Sequence, residues 1–148
     1  MVWGNVMAAP LMHSVMIEAA PAKVYEAIST GKGLASFWTS DSQAEPKVGS
    51  IARFGFGGPR LAMKVEELKP DALVRWSTHD GFPEWKGTTV TWEIVPAANG
   101  GSEVKFNHEG WPAALPQADL ASVNYVWGRV VGRLKRFAET GKPAPFFA

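Results

Sequence analysis

No cysteine occurs in the 148 residues. That one absence removes disulfides, cysteine-ligated zinc, iron–sulfur clusters and thiol nucleophiles together. Excess charge is lacking too: 15 Lys and Arg stand against 14 Asp and Glu, which gives no general electrostatic reason to bind nucleic acid or an anionic membrane. No charged residue precedes Glu18 and no lysine precedes Lys23, so the opening lacks the basic region of a signal peptide. Gly4, Asn5, Pro10, His13 and Ser14 interrupt the same stretch, leaving it too short to span a bilayer. The expectation is a poorly ordered leader followed by a strand, in a soluble cytoplasmic protein.

Catalytic signatures are missing as well. There is no Gly-x-Ser-x-Gly elbow, no His-Glu-x-x-His pair, no phosphate loop and no dinucleotide fingerprint. Gly55, Gly57 and Gly58 precede a strand rather than a helix, so they read as a hairpin turn and not as a phosphate cradle. The three histidines, His13, His79 and His108, lie far apart without metal-ligand spacing. No metal and no cofactor are expected.

What is present suits one folded domain. Hydrophobic residues make up 46% and charged residues 20%, which argues against disorder, and a chain of this length buries roughly 68–70% of its unfolded surface. His13 to Ile17 alternates and reads as a first strand. Pro21 suits the first turn of a helix carrying Val24, Tyr25 and Ile28; Gly31 and Gly33 are expected to stop it, and Leu34 to Trp38 to form a second short helix. About five strands follow: Ser50–Phe56, Leu61–Leu68, Leu73–Thr78, Thr88–Val95 and Ser102–His108, punctuated by Gly, Pro and Asn turns. Leu120, Val123, Trp127, Val130, Leu134 and Phe137 then step by three and four along one face of a long helix. Pro116 opens that helix, and Gly141 with Pro143 closes it. Arg129, Arg133, Lys135 and Arg136 read as its solvated face near the end where cations suit the dipole. An antiparallel sheet with one apolar face must bury that face against the long helix. The predicted fold class is α+β, a curved antiparallel sheet wrapped around the C-terminal helix.

Tryptophan is the conspicuous excess: Trp3, Trp38, Trp76, Trp85, Trp92, Trp111 and Trp127. Each carries an N–H that needs a partner when buried, which makes tryptophan a poor simple filler, whereas ligand cavities are mostly apolar and aromatic. Trp92 and Phe106 are predicted to point from the concave sheet face toward Trp127, either packing a solid core or lining a pocket. His108 continues the Val104–Phe106 alternation as a polar group on that face, able to orient a ligand, to act as an acid/base, or to serve as a satisfied structural histidine. Glu67 faces inward only if the Met63–Val65 alternation persists; Leu68 offers the apolar alternative, with Glu67 exposed. His13 joins the pocket only if Val15 and Ile17 face inward.

Ile17-x-Ala19-x-Pro21-x-x-Val24-Tyr25-x-Ala27-Ile28 resembles the opening of proteins similar to the activator of heat-shock protein 90 ATPase, a START-like family of the SRPBCC helix-grip superfamily. Leu34-Ala35-x-Phe37-Trp38, Val48-Gly49-Ser50 with Phe54, Thr89–Ile94, and Trp127-x-x-x-Val131-x-x-Leu134-Lys135-x-Phe137 resemble further family segments in the same order. Ser50 replaces a usual glycine, Ala52 stands where an aromatic is common, and Val126 where glycine is typical, changes expected to reshape a cavity. The resemblance implies a single START-like helix-grip domain over residues 1–148, with an ordered core of about 11–141 between a flexible leader and a flexible Pro/Phe tail. It implies less about activity, since function resides in the pocket.

The leading expectation is binding of a small hydrophobic or aromatic molecule between sheet and helix. Trp38, Phe54, Trp76, Trp92, Phe106, Trp127 and Val130 supply area in that reading, and His108 a polar contact. One alternative is an enzyme of the cyclase, dehydratase or hydrolase kind, with His108 and then Glu67 as acid/base candidates. The other is a chaperone-interacting domain. Phe146 and Phe147 raise three equal options: packing on a second copy in a homodimer, packing within the chain, or a disordered tail.

Overall fold

The computed structural model describes residues 8–148; residues 1–7 of the expected leader, Trp3 among them, lie outside the described residues. Strand β1, Leu11–Ile17, is followed by helices α1, Pro21–Ser29, and α2, Gly31–Phe37. Pro21 occupies the first helical turn, where its missing N–H has no intrahelical partner to lose. Thr30 ends α1 and starts α2, its side chain accepting the Gly33 N–H at 3.0 Å. The two glycines expected to terminate α1 therefore sit inside α2. A β-carbon on Gly33 would stand 2.3 Å from the Ala27 carbonyl oxygen, so the missing side chain lets the two helices touch.

Six strands complete the sheet: β2, Asp41–Gln43; β3, Ile51–Gly55; β4, Arg60–Lys69; β5, Leu73–Asp80; β6, Thr89–Pro96; and β7, Ser102–Glu109. The seven strands lie in the order β1-β7-β6-β5-β4-β3-β2, every neighbouring pair antiparallel. Inward positions follow the period of two: Ala52 and Phe54, Val74 and Trp76, Val90, Trp92 and Ile94, then Val104, Phe106 and His108 are all buried. In β4 the pairing shifts between Val65 and Glu67. This bulge turns Glu67 to the outer face, where it is half-buried, and packs Leu68 against the core.

Helix α3, Gln117–Thr140, lies across the concave face. It buries Trp127, Val130, Val131, Leu134 and Ala138, and it ends at Gly141 with φ of 73°, a left-handed cap that glycine adopts without a side-chain clash. Lys135 Nζ donates to the Met16 carbonyl at 2.7 Å and His13 Nε2 to Asn124 Oδ1 at 2.8 Å, tying α3 to β1. The architecture is the α+β helix-grip fold. No helix among the described residues is long and apolar enough to cross a membrane.

The tail, expected to be flexible, is held. Ala144 N–H donates to Ser36, Phe146 to Phe37 and Phe147 to Trp38, at 2.9, 3.2 and 2.8 Å, and Ser40 N–H donates back to Phe147 at 2.9 Å. Arg133 adds a bond to the Ala144 carbonyl at 2.9 Å. Of the three options for Phe146 and Phe147, packing within the chain is the one observed.

Candidate functional site

A cavity of about 450 Å³ opens at one end of the sheet–helix sandwich, lined by Trp38, Phe56, Pro59, Phe82, Trp85, Ser122, Val123, Val126, Trp127 and Phe147. Five separate segments build it. The aromatic residue that closes α2 provides Trp38, and the β3–β4 hairpin provides Phe56 and Pro59. The loop before β6 provides Phe82 and Trp85, while the first turns of α3 supply the remainder except for Phe147, which comes from the tail. Rings meet around the space: Trp38 and Trp127 at 5.0 Å, Phe56 and Phe147 at 5.0 Å, Phe56 and Phe82 at 5.6 Å, Phe82 and Trp85 at 5.2 Å. Pro59 and Ser122 are exposed and form the rim, while Trp38, Trp85 and Trp127 are buried and form the floor. Among the described residues, Ser122 is the one hydrogen-bonding side chain of the lining besides the indoles, and no ionisable side chain lines the cavity.

Of the residues singled out from the sequence, Trp38 and Trp127 border this space. Phe54, Trp76, Trp92, Phe106 and Val130 lie behind it, each at most 1% exposed. Phe106 packs on Trp127 at 4.5 Å and on Trp92 at 4.8 Å. The two readings of the aromatic cluster thus divide by place: solid packing across the middle of the sheet, open space at one end. Phe56, Phe82, Trp85, Val123 and Phe147 were not among the site candidates, and Val126 was noted only as a departure from the family pattern. Phe56 continues the Ala52–Phe54 alternation and Val123 belongs to the helical stripe, so those two carried a signal. Loop residues Phe82 and Trp85, and Phe147 in the tail, carried none.

His108 is fully buried and does not reach the cavity. Trp127 Nε1–H, which can only donate, points at His108 Nδ1 from 3.0 Å, so that nitrogen keeps its lone pair. The proton of the neutral ring is therefore on Nε2, which donates to Thr88 Oγ1 at 2.9 Å. Thr88 donates in turn to the Trp85 carbonyl at 2.6 Å, and Thr78 Oγ1 stands 3.1 Å from Thr88 Oγ1 to complete its set. Trp111 Nε1–H donates to the His108 carbonyl at 3.0 Å. Burial lowers the His108 pKa to about 3, because a charged imidazolium would lose its hydration. The geometry is that of the satisfied structural histidine, with no nitrogen free for a ligand or a proton transfer.

Glu67 lies on the outer face, where Arg75 Nη1 meets its carboxylate at 2.6 Å and Lys69 Nζ at 3.8 Å. It too is remote from the cavity, because the β4 bulge reverses the alternation. His13 faces inward beside Phe106, with ring centres 6.1 Å apart, and is spent on Asn124. Among the described residues no group of three His, Asp or Glu side chains is placed to hold a metal ion.

Known proteins agree with this architecture. None of the curated proteins compared with the chain matches it. A solved structure of the Aha1 dimer from Colwellia psychrerythraea is 30% identical, covers 91% of this chain and 99% of its own, and superposes with a TM-score of 0.81. A putative protein of the dynemicin biosynthetic locus, 22% identical over 94% of this chain and half of its own length, gives a TM-score of 0.74. A Bacillus halodurans protein, 17% identical over 90% of this chain and 99% of its own, gives 0.76. The last two share the fold alone. The family model described as Activator of Hsp90 ATPase homolog 1-like protein matches residues 18–139, most of the chain, and the protein belongs to that family.

Proposed function

We propose that the cavity binds a small, uncharged aromatic or hydrophobic molecule. The observation that carries this reading is the lining itself: about 450 Å³ of space walled by six aromatic rings, with no ionisable side chain among the described residues, within the size range of small-molecule sites. Binding would be driven by desolvation, with each 100 Å² of apolar surface withdrawn from water contributing about 2.5 kcal/mol. Ser122 at the rim and the π faces of Trp38 and Trp127 would orient the guest. An enzymatic reading with His108 or Glu67 as acid/base has no support in this geometry, since neither faces the space.

The test is titration with N-phenyl-1-naphthylamine, an uncharged fused-ring probe, alongside native mass spectrometry of freshly purified protein for any retained guest. Saturable binding of one probe per chain, abolished by Val126→Trp, supports the reading. No saturable binding, or binding indifferent to Val126→Trp, overturns it. The family's name carries a co-chaperone reading; retention of the chain on purified Hsp90 would favour that alternative. The Colwellia relative was solved as a dimer, and we propose a homodimer here too. A single monomeric mass by light scattering across micromolar concentrations would refute it.

A further inference from the structure

The buried polar relay at the floor of the cavity has an arrangement that simple core satisfaction does not require. His108 uses each ring nitrogen on a different wall. Nδ1 receives the Trp127 indole N–H from α3 at 3.0 Å, and Nε2 reaches, through Thr88, the carbonyl of Trp85 in the loop before β6. The ring edge of His108 also meets Trp85 at 4.6 Å between centres, at 73°. Trp85 and Trp127 are themselves 5.9 Å apart, and both are cavity walls. One imidazole thus spaces two indoles that belong to different elements and share no backbone hydrogen bonding.

We infer that His108 and Thr88 are positioning residues of the ligand cavity, setting the separation and tilt of the Trp85 and Trp127 walls without touching the guest. The inference rests on the cavity being the binding site. Its physical basis is that a buried indole N–H without an acceptor, or an imidazole N–H without one, is costly to leave unpaired, so each donor holds its ring at one rotation. Side chains of matching size but without these groups leave the Trp127 ring free to turn and the Trp85 backbone, which the relay grips at its carbonyl, free to shift. Asparagine at 108 retains an acceptor where Nδ1 stood, and so restores the α3 arm alone.

The experiment compares the wild type with His108→Phe, His108→Asn and Thr88→Val, by indole N–H resonances of the unliganded proteins and by affinity for N-phenyl-1-naphthylamine. In His108→Phe the Trp127 indole resonance is expected to move upfield and the probe Kd to rise at least tenfold, about 1.4 kcal/mol. His108→Asn is expected to return the Trp127 resonance and part of the affinity. Thr88→Val, which keeps the His108–Trp127 bond and serves if His108→Phe fails to fold, should shift the Trp85 resonance, leave that of Trp127 in place and weaken the probe. A purely structural role would lower stability while leaving the folded protein's Kd within twofold of wild type, and that result, or an unmoved Trp127 resonance, overturns the inference. If the wild type binds no probe, the binding reading fails, and the resonances alone decide whether the two walls are held as described.

Discussion

At the residue scale, His108 shows how a titratable side chain becomes chemically silent. Trp127 can only donate, so the tautomer is settled by its neighbour, and the proton that would charge the ring must displace that bond. The folded pKa of about 3 lies below the ordinary value near 6.5. Between those two values the unfolded chain binds a proton that the folded chain refuses, so the stability contributed by the neutral ring is present above about pH 6.5 and is lost as pH falls toward 3. In that window the contribution should decline by up to about 1.4 kcal/mol per pH unit. Urea midpoints at pH 7, 5 and 4 should fall more steeply for the wild type than for His108→Asn; parallel curves would refute the assignment. Trp92 gives a contrast, because its buried indole N–H has no hydrogen-bond partner among the described residues. Phe37 and Phe106 meet it at 82° and 70°, so it is held by edge-to-face packing. Trp127→Phe, which strands an acceptor, should therefore destabilise by about 1–3 kcal/mol more than Trp92→Phe, as read by urea denaturation. The inward direction of His108 was legible from the alternation with Val104 and Phe106. Its role was not, since its partners lie 19 and 20 residues away and only the packed helix brings them together.

At the element scale, period does the specifying. Six strands and α3 could be located from alternation and from the step of three and four, because one face of each must be apolar for sheet and helix to share a core. β2 escaped: three residues, Asp41, Ser42 and Gln43, carry no alternation, and their pairing to β3 is all that makes them a strand. The β4 bulge is invisible to period for the same reason, since one extra residue converts one face into the other. Gly31 and Gly33 illustrate the opposite error. Glycine after a helical run commonly marks its end, but here Gly33 removes a side chain where α2 touches α1. Gly33→Ala would press its methyl on the Ala27 backbone, which cannot swing aside, so a loss of about 1–3 kcal/mol is expected. A thermal midpoint equal to wild type would show that the helices separate freely.

At the scale of the whole molecule, the cavity is a property of assembly. Its walls come from five segments spread from Trp38 to Phe147, and no window of sequence contains more than a fraction of it. Trp38 and Trp127 were found because tryptophan is rare enough to be suspicious. Phe82, Trp85 and Phe147 lie in a loop and a tail, where no periodicity says which way a ring turns. Val126, in contrast, was marked only as a departure from the family pattern, and it stands on the cavity wall. The tail wall depends on Arg133, whose guanidinium reaches the Ala144 carbonyl and stands over the Phe146 ring at 5.9 Å. Arg133→Ala should speed amide exchange at Phe147 and lower stability by about 1–2 kcal/mol, with β6 and β7 protected as before; unchanged exchange at Phe147 would show the tail's backbone pairing suffices. The aromatic packing has an optical consequence as well. Trp38, Trp76, Trp85, Trp92, Trp111 and Trp127 form a continuous chain of neighbours with ring centres no more than 6.2 Å apart. At such separations the transition dipoles couple and excitation passes from ring to ring before emission. The circular dichroism of the folded chain should then show an exciton couplet in the strong short-wavelength indole band rather than a sum of isolated indole bands, so the six rings behave as one built-in chromophore.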